Sequence, residues 1–248
     1  MTDRTPFVLT DRGLVRVSNQ DAAYARLLEG GGVLLAVADG MGGPPAGDRA
    51  SVLAIGSLEE AAFPGLDPAR ELTEAFETAH RAIVADAEAH AERSGMSTTL
   101  VAALVLGGTI TVAHAGDSRA YRWHRGTLEA LTTDHNRAAE AVRAGRLEAD
   151  EARWSSDRHA LTQALGGSRH EAEIGGPFPL VDGDVLLLVS DGVTGVLANA
   201  DVEALVAEHR GAALPRALLE AVLSAGAPDN VAIALLDRRQ GAPTDASR

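Results

Sequence analysis

Leu100-Val101-Ala102-Ala103-Leu104-Val105-Leu106-Gly107-Gly108-Thr109-Ile110-Thr111-Val112-Ala113-His114-Ala115-Gly116-Asp117 is the stretch from which the architecture can be read. Two apolar runs flank a Gly-Gly pair, and paired glycines tolerate the positive φ angles of a tight hairpin. Residues 100–106 and 110–115 are therefore predicted as neighbouring antiparallel strands. Working outward, the short apolar runs at 14–17, 33–38, 119–123, 185–189 and 231–236 read as further strands. Helices are predicted at about 48–62, 68–93, 138–145, 200–208 and 213–225. In the second of these, Leu72, Ala75, Phe76, Ala79, Ile83 and Ala87 form one apolar stripe, suited to lying on a sheet. Strands joined by a hairpin, with helices grouped elsewhere, predict a layered α+β fold.

The chain has 248 residues and no internal repeat, which predicts a single domain over 1–240. The Arg-, Glu- and Ser-rich stretch 134–176 reads as a surface insertion, with a flap at about 136–170. The polar end from Arg238 onward reads as a loose tail, placed at 241–248. Acidic residues number 35 against 22 basic ones, a formal charge of −13. That balance argues against a grip on nucleic acid or anionic lipid. There is no cysteine, which excludes disulfides and sulfur nucleophiles. There is no lysine either, so P-loop, kinase-lysine and Schiff-base chemistry are out. Met1-Thr2-Asp3-Arg4-Thr5-Pro6 lacks a secretory profile, and no apolar run approaches the ~18 residues of a membrane helix, so a cytoplasmic location is expected.

Chemistry concentrates in aspartates at strand ends. Asp39, Asp117 and Asp191 follow predicted strands and Asp229 precedes one. Antiparallel pairing brings such ends to one edge, so the four carboxylates are expected to converge. Converging carboxylates repel one another and call for a cation. With no lysine, that means arginine or a hard divalent ion, and oxygen ligands suit Mg²⁺ or Mn²⁺. Two such ions would outweigh the charge of Asp39, Asp191 and Asp229 and attract phosphate. Taken singly, an aspartate after a strand fits ordinary turn chemistry equally well. The glycines beside three of them, in Asp39-Gly40-Met41-Gly42-Gly43, Gly116-Asp117-Ser118-Arg119 and Asp191-Gly192-Val193, favour a built site.

The ordered set Arg16-x-x-Asn19-Gln20-Asp21, Asp39-Gly40-Met41-Gly42-Gly43, Ser97-Thr98-Thr99, Ala115-Gly116-Asp117-Ser118-Arg119, Asp134-His135, Ser190-Asp191-Gly192 and Asp229-Asn230-Val231 resembles the 2C-type metal-dependent serine/threonine phosphatases, in their bacterial branch. The resemblance runs through nearly the whole chain. It implies a four-layer α-β-β-α sandwich of two antiparallel sheets flanked by helices, with two Mn²⁺ or Mg²⁺ ions at one end. It also implies that Asp39 bridges the ions, with the Gly40 carbonyl on one and Asp191 and Asp229 on the other, and that Asp117 and Asp191 form a weaker third site. Arg16 would bind substrate phosphate, its planar fork matching two oxygens. Gln20, Asp21 and Asn230 would stand behind these groups, Asn230 orienting a ligand or water, with His135 in a similar place. The implied reaction is direct attack of metal-activated water on phosphoserine or phosphothreonine.

Two departures matter. Gln20 stands where many members carry Glu, which predicts a weaker neighbouring ion. Met41 stands where eukaryotic relatives place a histidine general acid, leaving the proton donor to the alcohol unassigned. The expected substrates are phosphoproteins made by a bacterial Ser/Thr kinase, and the expected state is a monomer. Two alternatives are a phosphatase of a small phosphorylated regulator and a non-catalytic binding module of the same fold; Gln20 is the one feature favouring the second. Arg143, Arg146, Arg153 and Arg158 of the flap are expected either to receive phosphopeptides or to form a solvated surface.

Overall fold

Successive side chains on a strand point to opposite faces, so a strand covered on both sides must be apolar throughout. Residues 33–38, 100–105, 185–189 and 231–236 meet that condition, and the computed structural model, which describes residues 5–43, 45–152 and 154–239, buries all of them. In chain order the elements are β1 (Pro6–Asp11), β2 (Asp21–Leu27), β3 (Val33–Met41), α1 (Ala46–Glu60), α2 (Pro68–Ala89), β4 (Ser97–Thr98), β5 (Leu100–Leu106), β6 (Thr109–Ala115), β7 (Arg119–His124), β8 (Thr127–Ala130), α3 (Arg137–Arg143), α4 (Ala149–Ala152), β9 (Glu173–Pro179), β10 (Val185–Val189), α5 (Asp191–Thr194), α6 (Asn199–Glu208), α7 (Ala213–Ser224) and β11 (Val231–Asp237). One antiparallel sheet runs β1-β11-β10-β7-β8. The other runs β2-β3-β5-β6-β9, with β4 paired to β3.

Three apolar layers follow from the alternation. Leu34, Ala36 and Ala38 of β3 face α1 and α2, while Val33, Leu35 and Val37 face the other sheet. Likewise Leu186 and Leu188 of β10 and Ala232, Ala234 and Leu236 of β11 fill the space between sheets. Their alternates, among them Leu187, Ile233 and Leu235, pack on Val202, Val206, Leu214, Leu218 and Val222 of α6 and α7. The result is the expected α-β-β-α sandwich. The stripe predicted on α2 is buried from Leu72 to Ile83, and Asp67 caps that helix by accepting from the Arg70 N–H at 3.2 Å, with Pro68 behind it. Gly107 and Gly108 both take positive φ, and Leu106 pairs with Thr109 across the hairpin.

Four expectations need correction. Residues 14–17 are not a strand: Gly13 turns the chain at φ 72°, and the Leu14 N–H goes to the Ala227 carbonyl, so the segment is a loop between β1 and β2 despite its β-branched residues. Strands β1, β2, β4, β8 and β9 were not foreseen. Their exposed or half-buried residues dilute the apolar signal, and β2, Asp-Ala-Ala-Tyr-Ala-Arg-Leu, is half alanine and polar. The stretch 134–176 is not wholly superficial. Leu165 is fully buried and exchanges two backbone hydrogen bonds with Thr98, and β9 begins inside the stretch at Glu173. Finally, Arg238 and Arg239 are held, Arg239 by Asp237 and by the Val206 and His209 carbonyls. The tail at 241–248 lies outside the described residues.

Candidate metal centre

Because β3 runs parallel to β6 through the intervening β5, and β10 runs antiparallel to β11, the C-terminal ends of three strands and the start of the fourth share one end of the sandwich. Asp39, Asp117, Asp191 and Asp229 meet there. Together with Gly40, Arg16 and His159 they line a cavity of about 340 Å³. Close backbone approach makes the convergence possible. A Cβ on Gly192 would lie 1.8 Å from the Asn230 carbonyl oxygen, so only glycine lets the turn after β10 touch the turn before β11. Thr99 ties β3 to the end of β6: its hydroxyl accepts from the Asp39 N–H at 3.1 Å and meets the Ser118 hydroxyl at 2.7 Å. The Thr98 hydroxyl donates to the Asp39 carbonyl at 2.8 Å.

The loop carrying Arg16 is fixed by one amide. Asn230 donates to the carbonyls of Arg12 (2.8 Å) and Ser18 (2.9 Å) and accepts from the Gln20 N–H (2.9 Å). Its side chain therefore orients this loop. A Cβ on Gly13 would lie 2.2 Å from the Asp229 carbonyl oxygen, which seats the loop against the Asp229 turn. Arg16 then reaches Asp229 in a 2.7 Å ion pair, and that contact raises its pKa. The guanidinium is about half exposed, open to a ligand from solvent.

Burial dominates the electrostatics. It drives the Asp39 carboxyl well above the usual carboxylate range, with repulsion from Asp21, Asp191 and Asp117 adding to it. Asp117 is raised in the same way, then by Asp191, and Asp191 by burial and then Asp229. Asp21, directly opposite Asp39 across the β2–β3 ladder, is pushed to about 7, chiefly by burial. One Asp21 oxygen is buried without a hydrogen-bond partner, as is the Gln20 amide nitrogen. Among the described residues, four carboxylates in the cavity face one guanidinium. Such a cluster must take up either protons or cations. Its oxygen-only donor set is of the kind that suits hard divalent ions, and Asp39, the Gly40 backbone, Asp117, Asp191 and Asp229 are the groups that would hold them.

Further side chains pack behind this ring. Asp21 and Gln20 pack against Asp39 and Gly40, the Gln20 carbonyl accepting from the Gly40 N–H at 3.1 Å. His135 is buried; its Nδ1 takes the Gly116 N–H at 3.3 Å, its Nε2 meets Glu173 at 3.1 Å, and its ring stacks on His114. It therefore holds the turn carrying Asp117. Asp134 forms a two-pronged pair with Arg119 at 2.7 and 2.8 Å. Sequence reasoning missed His159 and Leu161 in the cavity wall. They arrive with the segment 134–172, whose position depends on the bridges Asn136–Leu161 and Thr98–Leu165, and no spacing in the sequence announces those bridges.

Comparison with known proteins agrees with this fold. A serine/threonine protein phosphatase PstP of Mycobacterium tuberculosis is 36% identical over 236 residues, 92% of this chain but 44% of that protein, so the chain spans less than half of that relative. A serine/threonine phosphatase stp of Listeria welshimeri is 32% identical over 92% of this chain and 94% of its own length. A crystal structure of the Mycobacterium tuberculosis serine/threonine phosphatase PstP/Ppp superposes with a TM-score of 0.87 at 33% identity, covering 95% of this chain and 99% of the other. The catalytic domain of PstP in complex with two manganese ions gives 0.84 at 33% identity, covering 94% and 97%. The profile described as Protein phosphatase 2C matches residues 15–225, and on these grounds the chain belongs to the protein phosphatase 2C family.

Proposed function

We propose that this chain is a metal-dependent phosphatase of phosphoserine and phosphothreonine in proteins, using two Mn²⁺ or Mg²⁺ ions with a third, weaker site beside Asp117. The observation that carries the reading is the meeting of Asp39, Asp117, Asp191 and Asp229 with Arg16 in one cavity, from five places far apart in the chain. When bound, hard divalent cations would acidify water to a nucleophile and neutralise phosphoryl charge. Asp39, Asp191, Asp229 and the Gly40 carbonyl would hold the two ions, and Asp117 with Asp191 the third. Arg16, steadied by Asp229 and by the Asn230-bound loop, would receive two phosphate oxygens and hold the ester in line. The names of the relatives and the two manganese ions of PstP support this assignment.

The substrates we assign are phosphoproteins made by a Ser/Thr kinase, met by a monomer in the cytoplasm, where such a kinase finds its ATP. No described helix is long and apolar enough to cross a membrane. A larger cleft of about 720 Å³ adjoins the metal cavity, shares Asp117, Asp191 and His159 with it, and is lined by Arg143 and Arg158. It is suited to the polypeptide on either side of a phosphoresidue, which supports a receiving role for the flap; Arg153 lies outside the described residues. Activity on an aryl phosphate with Mn²⁺, lost in Asp39→Asn and Asp191→Asn, is the expected result. A manganese-saturated protein inert toward the aryl ester and toward phosphothreonine peptides would overturn the assignment in favour of a binding module. Preference for a small phosphorylated regulator over all peptides would redirect the substrate class. Deleting 138–167 should lower peptide turnover relative to the aryl ester; an unchanged ratio removes the flap from substrate reception.

A further inference from the structure

Three of the nine large hydrophobic side chains left exposed among the described residues fall within four consecutive positions: Leu14 at 62%, Val15 at 67% and Val17 at 84%. Singly exposed apolar residues are ordinary, but a contiguous cluster marks a contact surface. Arg16 sits inside this cluster, and both Arg16 and Val17 line the metal cavity. The loop is also prearranged: one amide, Asn230, grips it at Arg12 and Ser18, the Arg12 guanidinium donates to the Arg16 carbonyl at 2.8 Å, and Gly13 seats it on the Asp229 turn. Its apolar side chains are thus presented to solvent at a fixed place, and little ordering remains for a partner to impose. Residues 12–20 hold two arginines and no acid, in a chain of net charge −13.

We propose that Leu14, Val15 and Val17 form a recognition surface for aliphatic side chains in the substrate polypeptide next to the phosphorylated residue. The proposal rests on the phosphatase reading above and adds to it a preference for the sequence around the phosphate. Its occupant follows from continuity: a phosphate ester held by Arg16 carries its own main chain past the residues on either side of Arg16. The absence of acids from the loop leaves acidic flanks unopposed, so the aliphatic contact is the discriminating one.

The test uses the full chain with saturating Mn²⁺ and three substrates: p-nitrophenyl phosphate, a phosphothreonine peptide with Val and Leu flanking the phosphoresidue, and an equal-charge peptide with Ser and Asn there. The wild type should favour the aliphatic peptide in kcat/KM by about tenfold, the value of roughly one buried aliphatic group. In Leu14→Ser/Val15→Ser that ratio should fall to about threefold or less, with aryl phosphate turnover within about twofold of wild type; in Val17→Ser, whose side chain lines the cavity, the ratio should fall likewise whatever happens to aryl phosphate turnover. Equal kcat/KM for the two peptides in the wild type, or a ratio that persists in all the variants, would overturn the proposal while leaving the phosphatase reading intact. So would sedimentation showing a dimer that the serine variants dissociate, since a second copy would then be the occupant. A wild type that hydrolyses none of the three substrates overturns this proposal together with the reading beneath it.

Discussion

Stripping divalent cations from this protein should make its stability fall as pH rises. In the folded chain Asp21, Asp39, Asp117 and Asp191 all sit above the ordinary carboxylate value, with burial as the first cause. Between that value and each raised pKa the native state keeps protons that the unfolded chain has released. Unfolding free energy therefore decreases with pH through this window: the contribution is fully present below the unfolded value and gone above the folded one. For Asp21, the interval from 3.8 to about 7 corresponds to about 4 kcal/mol at 1.36 kcal/mol per decade, a large part of a typical 5–15 kcal/mol. The other three carboxyls act in the same direction. Burial lowers the His80 and His114 pKa values, which works in the opposite sense below the usual imidazole range, but both rings are shared by chelated and loaded protein and cancel in the difference. The assay is urea unfolding at pH 5, 6, 7 and 8, in chelator and in saturating Mn²⁺. A cation must displace at least one proton, so the stabilisation by Mn²⁺ should grow by about 1.4 kcal/mol or more per pH unit up to pH 7. A difference that stays constant from pH 5 to 7 would refute the argument that these carboxylates are a protonated cluster waiting for charge.

Arg16→Lys keeps the charge but loses the planar fork, so KM for phosphothreonine peptides should rise about tenfold, a loss of about 1.4 kcal/mol of bidentate contact, and an unchanged KM removes Arg16 from phosphate binding. Asn230→Ala leaves the Gln20 N–H and the Arg12 and Ser18 carbonyls without their partner; urea titration should show a loss of about 2–3 kcal/mol, accompanied by a higher KM as the Arg16 loop loosens. Gly192→Ala forces a Cβ to within 1.8 Å of the Asn230 carbonyl oxygen, so the turns must part and calorimetry should record Mn²⁺ affinity at least about tenfold weaker; full affinity would show the close approach to be dispensable. Gln20→Glu adds a negative charge beside Gly40 and should lower the Mn²⁺ midpoint of activity; an unmoved midpoint refutes the charge argument.

Much of this architecture is legible because burial on both faces leaves a mark in the linear order. Residues 33–38, 100–106, 185–189 and 231–236 are apolar without interruption since each lies between two packed layers, and Gly107-Gly108 admits little but a tight turn. Strands β1, β2, β8 and β9 are half-exposed, and nothing forces an apolar run upon them. Residues 14–17 mislead for a related reason: β-branched side chains favour a strand, but here Gly13 and the Asn230 amide impose a loop, and the apolar atoms that would have filled a core face solvent instead.

The same division runs through the site. Composition alone excluded thiol and lysine chemistry, and the aspartates at strand ends, three of the four beside a glycine, named the carboxylates, since antiparallel pairing must bring such ends together. The linear order had no means of specifying that Asp21 would lie buried opposite Asp39, that Asn230 would grip the Arg16 loop, or that His159 would enter the cavity on a distant segment. Those are contacts between residues up to 218 positions apart, decided by how two sheets stack and which loops then touch. Local chemistry writes itself into neighbouring residues, whereas partners brought together by packing carry no mark of one another until the layers close.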